Sequence, residues 1–415
     1  MKSHLRVPAS KSHTLRAILF AALAEGTSCI ENFLTSPDTE AMIKAVCALG
    51  ARVQVLTAGR IKIQGVAGKL QPPNDTIQCG NSGIVLRFIG ALAALLPHPT
   101  ILTGDASIQQ RRPAMPLLDA LNQLGASAIS LKGNGFAPLR IQGPITGRSA
   151  VLGGEDSQPV SGLLIAASLA PHSIALHVKN PGEKPWIDLT LHWLRRLGIQ
   201  YERQGYSYYR LEGNAKIDAF SYAVPGDFSS AAFPIAAALI SNTELTLHNL
   251  DPEDCQGDKA VLSALEQMGA RFEWKDKNLF VRKGARLKGC RIDVNDFIDA
   301  LPILAVIGCF AEGRTELIGA AIARKKESDR IHAMETELKK MGARVEETPN
   351  GLVIYSSALH GADLQSYNDH RVAMALAIAT LGAASSCTIA DTACVAKTYP
   401  TFWEDLELEH HSLRV

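Results

Sequence analysis

Leu49-Gly50-Ala51, where a helical tail breaks at glycine and runs into a strand, recurs as Leu124-Gly125-Ala126, Leu197-Gly198-Ile199, Met268-Gly269-Ala270 and Met341-Gly342-Ala343. Glycine just past the last apolar residue of a helix supplies the left-handed C′ conformation, so each copy marks a helix end. The intervals between these glycines are 75, 73, 71 and 73 residues. A second landmark, a short strand after an Ala-rich helix, centres on Ile30, Leu102, Leu176, Leu247, Leu317 and Ile389, at intervals of 72, 74, 71, 70 and 72. Two independent landmarks with one period describe six copies of a unit of about 70 residues.

Each unit reads as a helix, a strand, a second helix ending in the glycine, and then short alternating strands such as Ala51 to Val55 and Arg60 to Ile63. The first helices are apolar almost all round, as in Leu15-Arg16-Ala17-Ile18-Leu19-Phe20-Ala21-Ala22-Leu23. A helix apolar on every face belongs inside a core. The expected class is therefore α/β, with helices inside and short-stranded sheets outside. A chain of 415 residues exceeds one ordinary core, and three units per domain is the simple partition.

Apolar residues make up 47% of the chain and charged residues 20%, with a net charge of +1. That balance provides no global field for nucleic acid, so any attraction for anions must come from local clusters. The eight cysteines form no CxxC pair and read as small buried apolar residues in a reducing compartment. Neither a signal-peptide h-region nor an uncharged apolar run of membrane-spanning length is present, and a cytoplasmic protein is expected. HExxH, a Walker A loop and GxGxxG after a strand are all missing, so metal hydrolysis, P-loop chemistry and dinucleotide binding lack support.

The repeat also aligns polar residues. Ser12, Ser82, Ser157, Ser229, Asp299 and Arg371 fall at or beside the starts of first helices, and Asp38, Arg112, Lys184 and Arg330 at the starts of second helices. Helix N-termini present unpaired N–H groups and a positive dipole end, so cations gathered there build anion sites. Ala323-Arg324-Lys325-Lys326-Glu327-Ser328-Asp329-Arg330 is the densest case, with Ser328 the expected N-cap and Ile331, Met334, Leu338 and Met341 the buried stripe of the helix that follows. Taken alone it reads as a solvated turn. Pro113, after Arg112, is expected to start a helix. Asp299 interrupts the apolar run Phe297 to Leu304 as a lone carboxylate, a buried cap or a base.

Taken together, Ser10-Lys11-Ser12 with Arg16, Gly80-Asn81-Ser82-Gly83 with Arg87, Thr103-Gly104-Asp105 leading to Arg112-Pro113, Ser157-Gln158, Gly226-Asp227 before Ser229-Ser230, Asp299-Ala300, Lys326 to Arg330, Asn368-Asp369-His370-Arg371 and Ala396-Lys397-Thr398 resemble the 5-enolpyruvylshikimate-3-phosphate synthases. The motifs follow the family's order over essentially the whole chain and are similar to its chlamydial branch. The resemblance implies transfer of the enolpyruvyl group of phosphoenolpyruvate to the 5-hydroxyl of shikimate 3-phosphate, without metal or organic cofactor. It implies two inside-out α/β domains that close on the substrates, residues 10–225 and residues 1–9 with 226–415, hinged near 9–10 and 225–226, in a protein expected to be a monomer that engages neither nucleic acid nor membrane.

By motif position the resemblance assigns shikimate 3-phosphate to Lys11, Ser12, Arg16, Ser157, Gln158, Asp299 and Lys326. It assigns phosphoenolpyruvate to Lys11, Gly83, Arg112, Gln158, Arg330, Arg371 and Lys397. Asp299 is implied to accept the 5-hydroxyl proton, and Glu327, with Lys11, to protonate the methylene carbon. Four positions depart from the common pattern: Asp156, Glu183, Trp186 and Ile322. The two acids fall where the family binds the shikimate phosphate and need pairing, with Lys184 a candidate. Two rival readings stand beside this one. A UDP-N-acetylglucosamine enolpyruvyltransferase usually carries a reactive cysteine in the stretch from Asp105 to Pro116, which here has none. A non-catalytic anion-binding relative is suggested by Asp156 and Glu183, and opposed by the intact Lys11, Asp299, Glu327 and Arg330.

Overall fold

The computed structural model describes residues 2–57, 59–408 and 413–414. The chain divides into two compact units, Lys11–Val224 and the discontinuous Met1–Ser10 with Pro225–Val415. The landmark residues sit where the period requires. Ile30, Leu102, Leu176, Leu247 and Leu317 are buried strand residues facing Ile61, Leu139, Tyr209, Leu279 and Leu352 across antiparallel pairs. Ile389 is buried in the sixth strand and faces Leu364 in a parallel pair.

In the Lys11–Val224 unit three four-stranded sheets share one plan: a parallel neighbour, the landmark strand, then an antiparallel hairpin. In the first sheet these are Ser221–Ala223, Thr27–Glu31, Arg60–Gln64 and Arg52–Thr57. The parallel neighbour comes from the far end of the unit, which closes the ring of repeats. The other unit repeats the plan, with His4–Arg6 alongside Leu245–His248. Its third sheet is cut down to Asp363–Gln365, Cys387–Ala390 and Leu413–Arg414 among the described residues. Strands such as Arg60–Gln64 alternate exposed and buried side chains, so one sheet face meets the helices and the other meets solvent.

The helices preceding the landmark strands are Lys11–Leu23, Gly83–Ala93, Ser157–Leu169, Phe228–Ile240, Leu301–Phe310 and His370–Ala379. Burial runs around the whole circumference: Phe228 through Leu239 are all buried, as are Leu301 through Cys309 and His370 through Ala379. At about 1.5–3 kcal/mol for each large apolar side chain removed from water, these helices supply most of the driving force of each unit. Their N-termini carry polar residues into that interior and thereby position the candidate site. Gly50, Gly125, Gly198, Gly269 and Gly342 all have positive φ, as a C′ residue requires.

Three expectations need correction. The helix Arg330–Lys340 is capped by Asp329, which accepts from the His332 N–H, while the Ser328 hydroxyl turns inward to Asp369. The helix after Arg112 begins at Met115 with Pro116 in its first turn, and Pro113 instead lends its carbonyl to Arg87 at 3.0 Å. The eight cysteines are not uniformly buried, since Cys47 is exposed and Cys29, Cys255, Cys290 and Cys394 are half-buried.

Candidate active site

In the discontinuous unit the site is built on Arg330. Buried to 1% exposure, its guanidinium meets three carboxylates: Nε donates to Asp369 Oδ2 at 2.8 Å, Nη1 to Asp299 Oδ1 at 2.7 Å and Nη2 to Glu327 Oε2 at 3.0 Å. Burial alone would lower the pKa of Arg330, but Asp369, Asp299 and Glu327 together hold it well above its ordinary value. Asp369 is the structural partner, because it also caps the His370–Ala379 helix by accepting from the Arg371 N–H at 2.9 Å. Asp299 and Glu327 are held from their far sides as well. Arg371 Nη2 reaches Asp299 Oδ2 at 3.2 Å, and Lys397 Nζ reaches Glu327 Oε1 at 2.8 Å.

Asp299 is therefore not the lone carboxylate in apolar surroundings suggested by its sequence neighbours. The six-residue 3₁₀ turn Asn295–Ala300 kinks at Phe297 and brings Asp299 between two guanidinium groups, with its side chain 22% exposed. Lys326, the residue before Glu327, is buried. One arginine thus gathers a partly open carboxylate and a nearly buried one.

In the Lys11–Val224 unit the focus is Gly83, the first residue of its helix. A Cβ added there would lie 2.4 Å from Arg112 Nη1 and 2.8 Å from both Arg87 Nη1 and Gln158 Oε1. Arg87, Arg112 and Gln158 therefore converge over a backbone that must stay bare. Lys11 lies 3.8 Å from Asp38, which accepts from the Ser82 hydroxyl at 3.0 Å. Arg16 is buried, donates to Thr190 Oγ1 from Nη2 at 2.9 Å and packs over the Phe88 ring. Ser12, at 8% exposure, lies in the same first turn as Lys11.

The unusual acids are both accommodated, though not by Lys184, which lies over the Tyr206 ring. Asp156 caps the Ser157–Leu169 helix through the Gln158 N–H at 3.0 Å and pairs with Arg87 at 3.2 Å. Glu183 is buried, and its Oε2 accepts from the backbone N–H of Ser157 at 3.0 Å and from its hydroxyl at 3.2 Å. A carboxylate thus occupies the donors of Ser157.

Sequence reasoning missed a polar trio formed by buried His13 and Trp193 with half-buried Tyr222. Trp193 Nε1 donates to His13 Nδ1 at 3.1 Å, with that nitrogen as the acceptor. The Tyr222 hydroxyl stands 2.9 Å from the same nitrogen. The signal available in sequence was a histidine in the polar first turn of a helix whose later residues are apolar. As for metal ligands, atoms of the exposed pair His332 and Glu347 and of half-buried Glu335 lie within 4.8 Å of one another. Lys339 and Arg324 already pair with those two acids at 2.7 and 3.3 Å, which makes the trio a solvated ion-pair network.

Comparisons with known proteins point to one family. The family model for EPSP synthase (3-phosphoshikimate 1-carboxyvinyltransferase) matches residues 1–406. A 3-phosphoshikimate 1-carboxyvinyltransferase of Chlamydia felis is 44% identical over 411 residues, covering 98% of this chain and 91% of the relative. That of Acetivibrio thermocellus is 44% identical over 399 residues, covering 96% and 94%. A solved EPSP synthase of Acinetobacter baumannii superposes with a TM-score of 0.79 at 29% identity, covering 97% of this chain and 94% of that one. No observation favours the UDP-N-acetylglucosamine reading, and the inside-out α/β fold is that of the matched structure. With its repeats, its arginine-centred carboxylates and these matches across its length, the chain belongs to the EPSP synthase family and is a 3-phosphoshikimate 1-carboxyvinyltransferase.

Proposed function

We infer that the two polar clusters divide the labour of one addition-elimination between them. The reaction joins phosphoenolpyruvate and shikimate 3-phosphate into 5-enolpyruvylshikimate 3-phosphate and phosphate. In this reading Arg112, Arg330, Arg371 and Lys397 bind the carboxylate and phosphate of phosphoenolpyruvate, with Gly83 leaving room for it. Lys11, Ser12, Arg16, Ser157, Gln158 and Lys326 bind shikimate 3-phosphate. Two anionic substrates repel each other, so the cations that bind each of them serve proximity as well as affinity.

Asp299 accepts the proton of the 5-hydroxyl as that oxygen attacks C2 of phosphoenolpyruvate. Glu327, assisted by Lys11, delivers a proton to the methylene carbon, giving a tetrahedral adduct with a methyl group. Loss of a methyl proton back to Glu327 then expels phosphate, which carries away the hydroxyl proton. The observation that carries this reading is the single buried Arg330, which holds Asp299 and Glu327 at 2.7 and 3.0 Å on separate nitrogens. An incoming anion that draws Arg330 and Lys397 toward itself makes protonated Glu327 the lower-energy form, since a nearby negative charge disfavours the carboxylate.

The test is Asp299→Ala. Shikimate 3-phosphate binding, measured by titration calorimetry, is expected to persist while kcat falls by about 10²- to 10⁴-fold. An unchanged kcat removes Asp299 from the mechanism. The reading also includes a monomer, to be checked by light scattering, and a hinge at residues 9–10 and 225–226. At those crossings Ala9 bridges Gly226, and Ser10 N–H donates to the Pro225 carbonyl at 2.8 Å.

A further inference from the structure

Asp258 has no place in the chemistry above, yet its surroundings are unusual. It lies in the 3₁₀ turn Gly257–Lys259 with no exposure to solvent. Neighbouring side chains force it inward. Gln256 clamps the turn to the start of the Phe228–Ile240 helix, accepting from the Phe228 N–H at 3.1 Å and donating to the Gly226 carbonyl at 2.8 Å. Lys259 turns away to the carbonyls of Pro252 and Asp254, at 2.7 and 2.8 Å. Neither carboxyl oxygen of Asp258 has a hydrogen-bond partner by geometry among the described residues, and the nearby Ser229 hydroxyl directs its proton to Asp227.

The charged groups that face it come from three elements. Asp299 comes from the Asn295–Ala300 turn, Asp227 caps the Phe228–Ile240 helix, and Arg371 opens the His370–Ala379 helix. Ser229 stands among them, its hydroxyl donating to Asp227 at 2.7 Å and accepting from Arg371 Nη2 at 2.6 Å. The same Nη2 holds Asp299, while Nε and Nη1 of Arg371 are buried without hydrogen-bond partners among the described residues. One guanidinium thus stands among three carboxyl groups, one of them without hydrogen bonds. A buried carboxylate ion without donors is strongly disfavoured, and a neutral acid is not.

We propose that Asp258 is a positioning residue, a neutral carboxylic acid beside Arg371 that leaves the guanidinium to Asp299 and to an incoming anion. Were it ionised, it would compete for the buried nitrogens of Arg371 and pull that side chain off Asp299. Burial first, and the charges of Asp299 and Asp227 after it, raise the Asp258 pKa well above the ordinary carboxyl value, against the pull of Arg371 and of the Ser229 hydroxyl. The proposal rests on the reading of Arg371 as a phosphoenolpyruvate ligand for its kinetic part alone; its protonation part is independent.

A carboxyl whose folded pKa is raised contributes stability that is complete below its unfolded pKa of about 4 and is lost as pH rises toward the folded value. Asp258→Asn, a neutral isostere, abolishes that loss. In the absence of substrates the variant is expected to unfold about 2 °C or more above the wild type near pH 8, with the gap shrinking toward about pH 4. The KM for phosphoenolpyruvate is expected to stay within about 3-fold of wild type near neutral pH, and to lack the alkaline rise that ionisation of Asp258 causes in the wild type. Wild-type protein labelled with ¹³C at its aspartate carboxyls reports the same state without substitution, as one protonated carboxyl at neutral pH. An Asp258→Asn variant less stable than wild type, with the deficit growing at high pH, or a labelled sample in which every aspartate is ionised at neutral pH, overturns the proposal. If instead wild type and variant alike fail to turn over, the functional reading fails while the stability and labelling results still decide the state of Asp258.

Discussion

At the scale of single residues, Glu183 is the most informative departure from the family pattern. Its carboxylate takes the two donors of Ser157, the backbone N–H and the hydroxyl. If Ser157 is to meet the substrate phosphate, Glu183 must first give up both. Glu183→Gln keeps the shape and removes the charge, so the KM for shikimate 3-phosphate should fall by about 10-fold, some 1.4 kcal/mol. A higher KM would mean that Glu183 helps to hold that substrate. Gly83 makes the opposite case, a position where nothing can be added. In Gly83→Ala the new methyl must displace the Arg112 and Arg87 guanidinium tips and the Gln158 amide, all within 2.8 Å of its site. These are flexible ends, so the fold should survive. The KM for phosphoenolpyruvate should rise by about 10-fold or more, since one displaced charge-assisted hydrogen bond is worth roughly 1.5–3 kcal/mol. Steady-state kinetics with each substrate varied in turn separates the two effects.

Elements show why part of the site was legible in sequence and part was not. Apolar helices broken by glycine are local patterns, and so is the crowding of charge at their starts, which is how Arg330 and Arg371 could be singled out. What no local pattern records is which carboxylate meets which cation. Asp369 and Arg330 stand 39 positions apart, and Lys397 and Glu327 stand 70 apart. Caps were also misassigned at one step of resolution, since Ser328 and Asp329 are both good N-cap residues. Tertiary contact decided between them, Ser328 being drawn to Asp369 and leaving Asp329 to the His332 N–H. Asp329→Ala should therefore destabilise the protein by about 1 kcal/mol through the lost cap, more if the Arg324 pair at 2.9 Å contributes. Because Arg330 is the first residue of that helix, the same variant should raise the KM for phosphoenolpyruvate. Urea unfolding and kinetics together check both expectations, and a loss of stability with unchanged KM would uncouple the cap from the site.

For the molecule as a whole, the 70-residue period was the readable feature and ring closure was the hidden one. His4–Arg6 pairs with Leu245–His248, and Ser221–Ala223 with Thr27–Glu31. These strands are too short to announce themselves, and their partners lie about half the chain away. The central claim at this scale is that one chain binds both phosphoenolpyruvate and shikimate 3-phosphate and joins them. Binding alone should be visible as a thermal shift, since a ligand at 100 times its Kd stabilises the native state by about 2.7 kcal/mol. The most direct measurement is phosphate release from the purified protein, with phosphoenolpyruvate supplied alone, with shikimate 3-phosphate, or with UDP-N-acetylglucosamine. Release only in the presence of phosphoenolpyruvate and shikimate 3-phosphate together is the predicted result. Release with the nucleotide sugar instead, or with neither acceptor, would contradict it.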